Sequence, residues 1–596
     1  MKQSAVQRFK ELNASTYKRT EDVYGPGTYT DTSFTPVPEE CTRIFRELAA
    51  RTPNFTKDER LLSGVHFVGD KLPLLAGPIK SQAVTAALHA MAGVIGHEIL
   101  QLRGIETSGS TTVNVDHAGM YVATPALVHV DGASGPSLLE HPRLPSFDHG
   151  AYTSPVKMRS QAIYPCRDGA WYQLHGGTFP DPVLEAIGVD PNAHFTSEDA
   201  AYEHIRDKIQ TNFTSRDLEM LMIERGLCGG IVHSPQSWLE TSMGQLLANH
   251  PLINYHQAPL SAASQLPPVA FATLAQTGGD ARPLAGLKVL ELARIIAAPA
   301  AGAVLASMGA EVMRVQSRHL VDFTPAQMCG LMAGKRALHL DLEEAEDRDK
   351  LRGLIAEADV IIQGYRLRSL ERRGFGQQVA LDLAEARKRG VVFLDENCFG
   401  PDGCYAERPG FQQVADAESG CSWVMAAADT YGGYETGTGV LPSLPIADMS
   451  TGIVSAVTVL SMIRDRARMG GSWVGCSSLT AYQATTLEPW VGLYQREVVE
   501  QIEKRFGYGR ITPDLFVLEL YYRVMAAWDR YAEENGGGLT RDEDLYVHFA
   551  DSVYGKDLRI LAPVVKYLQD PASQFRWDRA PVPFCFDKVL AFGAKE

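Results

Sequence analysis

The stretch Leu287-Lys-Val-Leu-Glu-Leu292, Ala293-Arg-Ile-Ile-Ala-Ala-Pro299 and, after a short gap, Leu305-Ala-Ser-Met-Gly-Ala-Glu-Val-Met-Arg-Val315 decides the fold. The first piece reads as a buried strand. Pro299 suits the first turn of a helix that runs to Ser307, and Met308-Gly-Ala310 ends it before a second strand at 311–315. Strand, helix and strand in that order make a βαβ unit. Working outward, strands are expected at 337–342, 359–362 and 391–394, with a helix over 344–358 between the first two, so an α/β fold with a parallel sheet covered by helices is indicated. Upstream, Gln265-Leu-Pro-Pro268 and Thr277-Gly-Gly-Asp280 have the composition of a connector and place a boundary near residue 275.

The turn after Leu292 lacks GxGxxG, and the chain shows no Walker A sequence, zinc-ligand spacing or GxSxG elbow. Dinucleotide, nucleotide-triphosphate, metal and α/β-hydrolase chemistry therefore lose their motif support. With 45% hydrophobic and 21% charged residues, the 596-residue chain has ample material for packed cores. Its 71 acidic against 56 basic residues give a formal charge of −15, which repels nucleic-acid phosphates and anionic membranes. The nine cysteines are scattered without a CxxC pair, as expected for reduced thiols. The first twenty residues lack the apolar core of a secretory signal and the chain ends in Ala-Lys-Glu, so a cytoplasmic protein without a membrane span is expected.

Sliding the two halves over each other aligns Val113-Asn-Val-Asp-His-Ala-Gly-Met-Tyr-Val-Ala-Thr124 with Val474-Gly-Cys-Ser-Ser-Leu-Thr-Ala-Tyr-Gln-Ala-Thr485. Each follows a long apolar helix pattern, 82–102 and 451–468, and each helix follows a Pro-Ile pair, Pro78-Ile79 and Pro445-Ile446. This is either a partial internal repeat or the chance similarity of two helix–strand units.

Four stretches together resemble the class III CoA-transferase (CaiB/BaiF) family. They are Pro283–Leu292, Leu305–Val315, Gly334-Lys-Arg-Ala-Leu-His-Leu-Asp-Leu342 and Ala358-Asp-Val-Ile-Ile-Gln-Gly-Tyr-Arg-Leu-Arg-Ser-Leu-Glu-Arg-Arg-Gly374. The likeness continues through Phe399-Gly-Pro401, Glu418-Ser-Gly420 and Ala447-Asp-Met-Ser-Thr-Gly452. It implies a Rossmann-like CoA-binding and catalytic region over 276–485 with a smaller α/β part. Residues 1–275 then form a diverged, non-catalytic partial copy and 486–596 a mostly helical C-terminal part. It also implies an interlocked homodimer, or an intrachain pseudo-dimer in its place.

The family's nucleophile is an aspartate in a Gly-Asp-x-x-Thr/Ser-Gly motif, which puts Asp448 in that role, with Ala447 replacing the glycine. From spacing alone Asp448 reads as a helix N-cap, and only the family motif turns the reading to catalysis. In the first copy the matching place carries Lys80-Ser81 and no carboxylate, so one active centre per chain is expected. The α-methylacyl-CoA racemases of the same family use a histidine where this chain has Phe411, which can be neither acid nor base. Phe411 is a wall against the thioester or an ordinary core residue.

The same resemblance places Ile296 near the thioester, and Ser317, Arg318, Leu340, Asp341, Leu342, Glu343, Gly364, Tyr365, Arg366 and Arg372 at the nucleotide. The cations Arg314, Lys335, Arg336, Arg366, Arg368 and Arg373 flank the sheet ends or form an ordinary solvated face. His175-Gly-Gly177 and Gly536-Gly-Gly538 read as turns. The expected activity is transfer of CoA from an acyl-CoA to a carboxylic acid through an aspartyl-CoA intermediate. CoA and acyl-CoA are substrates, with no tightly bound cofactor or metal. A racemase-like enzyme and a non-catalytic CoA-binding subunit are the alternatives.

Overall fold

A computed structural model describes residues 17–144, 154–259, 266–434 apart from 321 and 323, 437–588 and 591–594. Residues 1–16 and Gln265, on which the targeting and connector readings partly rest, lie outside them. The central sheet has seven strands. They are β1 (Asn254–Gln257), β2 (Lys288–Leu292), β3 (Glu311–Gln316), β4 (Lys335–His339), β5 (Val360–Gln363), β6 (Val392–Asn397) and β7 (Trp473–Ser478), in the order β1-β7-β6-β5-β2-β3-β4. Only β1 runs antiparallel, against β7; every other neighbouring pair is parallel. From β2 the chain adds β3 and β4 on one side, then crosses back to add β5, β6 and β7 on the other. Connections on either side of the β2/β5 pair thus lead to opposite faces and leave a crevice beyond the strands' carboxyl ends.

Six helices matter for the site. They are α1 (Ser81–Leu102), α2 (Val115–Tyr121), α3 (Ala297–Ser307), α4 (Gln412–Ser419), α5 (Ile446–Met469) and α6 (Leu479–Thr486). The two longest, α1 and α5, are apolar enough and long enough to cross a bilayer, yet they are buried over 100% and 94% of their most apolar windows. A helix apolar all round is a core helix when other elements cover it, and these two cover each other. The hydroxyls of Thr85 and Ser450 lie 2.8 Å apart at their crossing. Farther along, buried Glu98 receives Arg464 at 2.8 Å and Arg468 at 3.0 Å. On its other side α5 meets α3 closely: a Cβ on Gly452 would fall 2.5 Å from that of Ala300.

Each long helix leads into a strand and a short helix: α1 into Thr111–Asn114 and α2, α5 into β7 and α6. The aligned segments of the two halves therefore have the same order of elements.

Helix α3 ends at Ser307 and holds Pro299 in its first turn, as expected. Three expectations need correction. Strand β4 lies at 335–339 rather than 337–342. The shift in β4 follows from Lys335, which enters the sheet interior instead of ending a loop. Its Nζ lies 2.6 Å from Glu291 Oε2 and from the Pro299 carbonyl oxygen, while Arg314 lies 3.1 Å from Glu291 and 2.8 Å from Asp322. Burial pushes the Lys335 ammonium down to about 8, against the pull of Glu291. Arg314 and Lys335, read as cations at the sheet ends, are thus spent on a buried network.

The third concerns 486–596. It holds two helices, Arg496–Phe506 and Val517–Glu534, and beyond them strands Tyr546–Phe549, Leu558–Leu561 and Val565–Lys566. Leu558 and Ile560 alternate with Arg559 in the two-residue period of a strand. The last two strands pair back onto the N-terminal half, Ile560 with Val128 and Val565 with Val113.

Candidate active site

The loops at the carboxyl ends of the sheet open onto a cavity of about 700 Å³, within the range of ligand and cofactor sites. Ile296 comes to it after β2, Ser317 after β3, Leu340 and Asp341 after β4, and Gly364 and Tyr365 after β5; Phe411, ahead of α4, and Asp448, in α5, complete this wall. At the switch between β2 and β5 the fit is tight, since a Cβ on Gly364 would sit 2.9 Å from that of Ala298 and 3.0 Å from that of Ala293. Ile295 has φ of 68°, a strained value for a β-branched residue, and its N–H donates to Asp322 Oδ1 at 2.8 Å.

Asp448 is the third residue of α5. Pro445 holds the N-cap position and no side chain caps the helix, so the capping alternative falls. The Asp448 carboxyl accepts no hydrogen bond from the described residues, and burial pushes it up to about 7. Its backbone N–H makes a long contact, 3.5 Å, with Gln412 Oε1. A carboxylate that is neither tied to its own helix nor hydrogen-bonded is free to act as a nucleophile.

Two more carboxyls lie within electrostatic reach. Glu396, at the end of β6, is 7% exposed, lines the cavity and makes no hydrogen bond or ion pair among the described residues. Burial, and then the charge of Asp448, push it up to about 8. Asp416 in α4 is fully buried and raised well above the carboxylate range, by burial and by Asp448, although Gln483 donates to it. Sequence reasoning missed Glu396: in Leu394-Asp-Glu-Asn397 it reads as the polar exit of a strand.

The opposite wall comes from the N-terminal half. A three-stranded sheet of Ile163–Pro165, Trp171–His175 and Cys228–Ile231 delivers His175, Phe179 and Cys228 to the cavity. The His175 ring stacks on Phe411, centroids 4.6 Å apart and planes 6° from parallel. Its Nδ1 accepts from the Gly177 N–H at 3.0 Å, and its Nε2 pairs with Gln413 Oε1 at 3.0 Å. The turn His175-Gly-Gly177 is therefore part of the site, and Phe411 is a wall of it.

The cations sort differently from expectation. Arg318 and Arg372 stand outside the lining; Arg372 is exposed and lies 3.6 Å from Glu407. Arg366, expected at the nucleotide, lines the cavity, and so do Arg294, Arg373 and Arg408. Arg408 is held by Glu219 at 2.6 Å and by the Gly229 carbonyl oxygen at 2.9 Å. The exposed Arg366 guanidinium has no hydrogen bond or ion pair among the described residues.

The family model described as "CoA-transferase family III" matches residues 284–518. A protein of Gibberella moniliformis named acyl-CoA transferase is 52% identical over 581 residues, 97% of this chain and 99% of its own. The acetyl-coenzyme A transferase nodX of Hypoxylon pulicicidum is 30% identical over 488 residues, 79% of this chain and 80% of its own. The chain belongs to CoA-transferase family III. A crystal structure of a CAIB/BAIF family protein from Brucella suis aligns with 34% of this chain and 55% of its own, at 27% identity and a TM-score of 0.29. In this family III enzyme, Asp448, Glu396 and Phe411 fall inside the matched region, whereas His175 and its wall fall outside it.

Proposed function

We propose that the enzyme is an acyl-CoA transferase that moves CoA from an acyl-CoA to a carboxylic acid, with Asp448 as the covalent carrier. The observation that carries this reading is an unbonded Asp448 carboxyl on the wall of a CoA-sized cavity at the sheet's switch point. Ionised Asp448 attacks the thioester carbonyl: a C–O bond forms, the C–S bond breaks, and CoA leaves as thiolate from a mixed anhydride. The thiolate attacks the aspartyl carbonyl carbon, releasing the donor's carboxylate and leaving Asp448 as a CoA thioester. The acceptor carboxylate repeats both steps in reverse, so the thioester is conserved and Asp448 is restored.

Neutral Glu396 places no second negative charge beside the oxyanions that form, and a protonated carboxyl is a hydrogen-bond donor there. Phe411 in place of a histidine disfavours α-proton exchange. The matching order of elements in the two halves supports an intrachain pseudo-dimer with one reactive centre, the N-terminal half supplying a wall. CoA and its thioesters are the substrates in this reading, with no resident cofactor.

The test is mass spectrometry after incubation with a panel of acyl-CoAs and hydroxylamine. A hydroxamate at Asp448, missing in Asp448→Asn, is expected. CoA binding without any adduct would overturn covalent transfer and leave a binding role.

A further inference from the structure

A second chamber, of about 40 Å³, adjoins Asp448. It shares Ile296, Phe411 and His175 with the large cavity and is closed by Gln413, Pro445 and Val517. Its volume is below a third of the roughly 150 Å³ of an apolar cavity that takes benzene, so it admits a group of about one or two carbons and no long chain. Ile295, Ile296, Phe411, Pro445 and Val517 give it an apolar side that suits an aliphatic group, and the amides, His175, Thr178, Tyr521 and Asp448 give it a polar one.

The hydrogen bonds around it have a fixed direction. Because the Gly177 N–H donates to His175 Nδ1, the ring proton sits on Nε2 and is donated to Gln413 Oε1. The carboxamide is thereby oriented, and its NH₂ has no partner among the described residues although Gln413 is only 7% exposed. Gln413 lines the chamber, so an acyl or carboxylate oxygen seated beside Asp448 would give this unengaged donor its acceptor.

We infer that this chamber is the acyl subsite, that it takes a short aliphatic acyl group, and that Gln413, oriented by His175, donates to its oxygen. The inference rests on Asp448 being the acyl carrier. It gives the N-terminal half a task in the reaction: His175 is a positioning residue contributed across the crevice to a site whose nucleophile lies in the other half.

The experiment measures the second-order rate of hydroxamate formation at Asp448 in the full-length enzyme, with straight-chain acyl-CoAs from acetyl to decanoyl. The rate is expected to be highest for the shortest chains and to fall by about tenfold or more for octanoyl, as for a pocket that refuses added methylenes. Val517→Ala is expected to move the optimum to a longer chain, a gain that poor folding does not produce. His175→Phe keeps the stack on Phe411 and removes the donor to Gln413. It is expected to slow adduct formation while the Kd of CoA itself stays unchanged; a purely structural loss would slow the adduct and raise that Kd as well. Equal rates for acetyl and octanoyl, or an unmoved optimum in Val517→Ala, would overturn the subsite. Absence of any adduct with every acyl-CoA would instead overturn the carrier role of Asp448.

Discussion

Lys80 Nζ lies 2.6 Å from Glu40 Oε1, both side chains almost wholly buried, at the residue that opens α1. The same ammonium reaches Asp31 and, at 3.2 Å, the Val491 carbonyl oxygen. The start of α1, which the alignment of the two halves sets against the first turn of α5, is thus occupied by a structural ion cluster. Burial by itself would raise the Glu40 carboxyl, but Arg43, then Lys80, outweigh it and hold it at about 2. Lys80→Met leaves Glu40 and Asp31 short of a cation and is expected to destabilise the fold by about 3–5 kcal/mol, read from the denaturant midpoint. The folded pKa is depressed below the ordinary 4.5, so the contribution of Glu40 is complete above that pH and fades as pH falls toward 2. Glu40→Gln should flatten this acid limb of the stability curve. An unchanged limb would mean that other carboxylates govern it.

A bell-shaped pH profile is expected for kcat/KM. Asp448 must be ionised to attack, and burial sets its midpoint at about 7, so the rate climbs through neutrality. Glu396 loses its proton at about 8, and the second negative charge then opposes the anionic thiolate and acceptor. Glu396→Gln should keep the rising limb and lose the falling one. A flat profile between pH 6 and 9 would contradict both assignments.

Arg366 and Arg372 lie close in sequence and differ in environment. Among the described residues the Arg366 guanidinium is unengaged at the cavity, whereas Arg372 faces Glu407 outside it. Arg366→Ala is expected to raise the KM for acyl-CoA by roughly tenfold with kcat little changed, the loss of one charge-assisted contact to phosphate. Arg372→Ala should have a smaller effect. Steady-state kinetics at two salt concentrations would check this, because a phosphate contact weakens as salt rises.

The sheet was legible because buried parallel strands are short apolar runs between glycine and proline breaks, as Leu287–Leu292 and Asp359–Ile362 show. The edge strand Asn254–Gln257 was not, since Asn-Tyr-His-Gln has no apolar run and owes its state to pairing with Trp473–Cys476. Asp448 was readable through a family motif, and its freedom from capping only through geometry. Lys335 and Arg314 deceived because a charge inside a sheet is invisible until its partner, Glu291 on β2, is placed. His175 and Gln413 stand 238 residues apart, and no local pattern announces a hydrogen bond across that distance. Their partnership exists because a small sheet of one half packs against α4 of the other.

The contact of Thr85 with Ser450 spans 365 residues of chain. At roughly 5–20 residues per second of synthesis, α1 waits on the order of 20–70 s before its covering helix has been made. During that interval α1 has only Val37–Arg51 and the neighbouring elements of its own half to pack against, and the face that α5 will cover stays open. Nascent-chain biogenesis is therefore the most exposed moment in the life of this protein. The N-terminal half needs shelter from aggregation and from mistaken delivery to a membrane until the second half emerges from the ribosome.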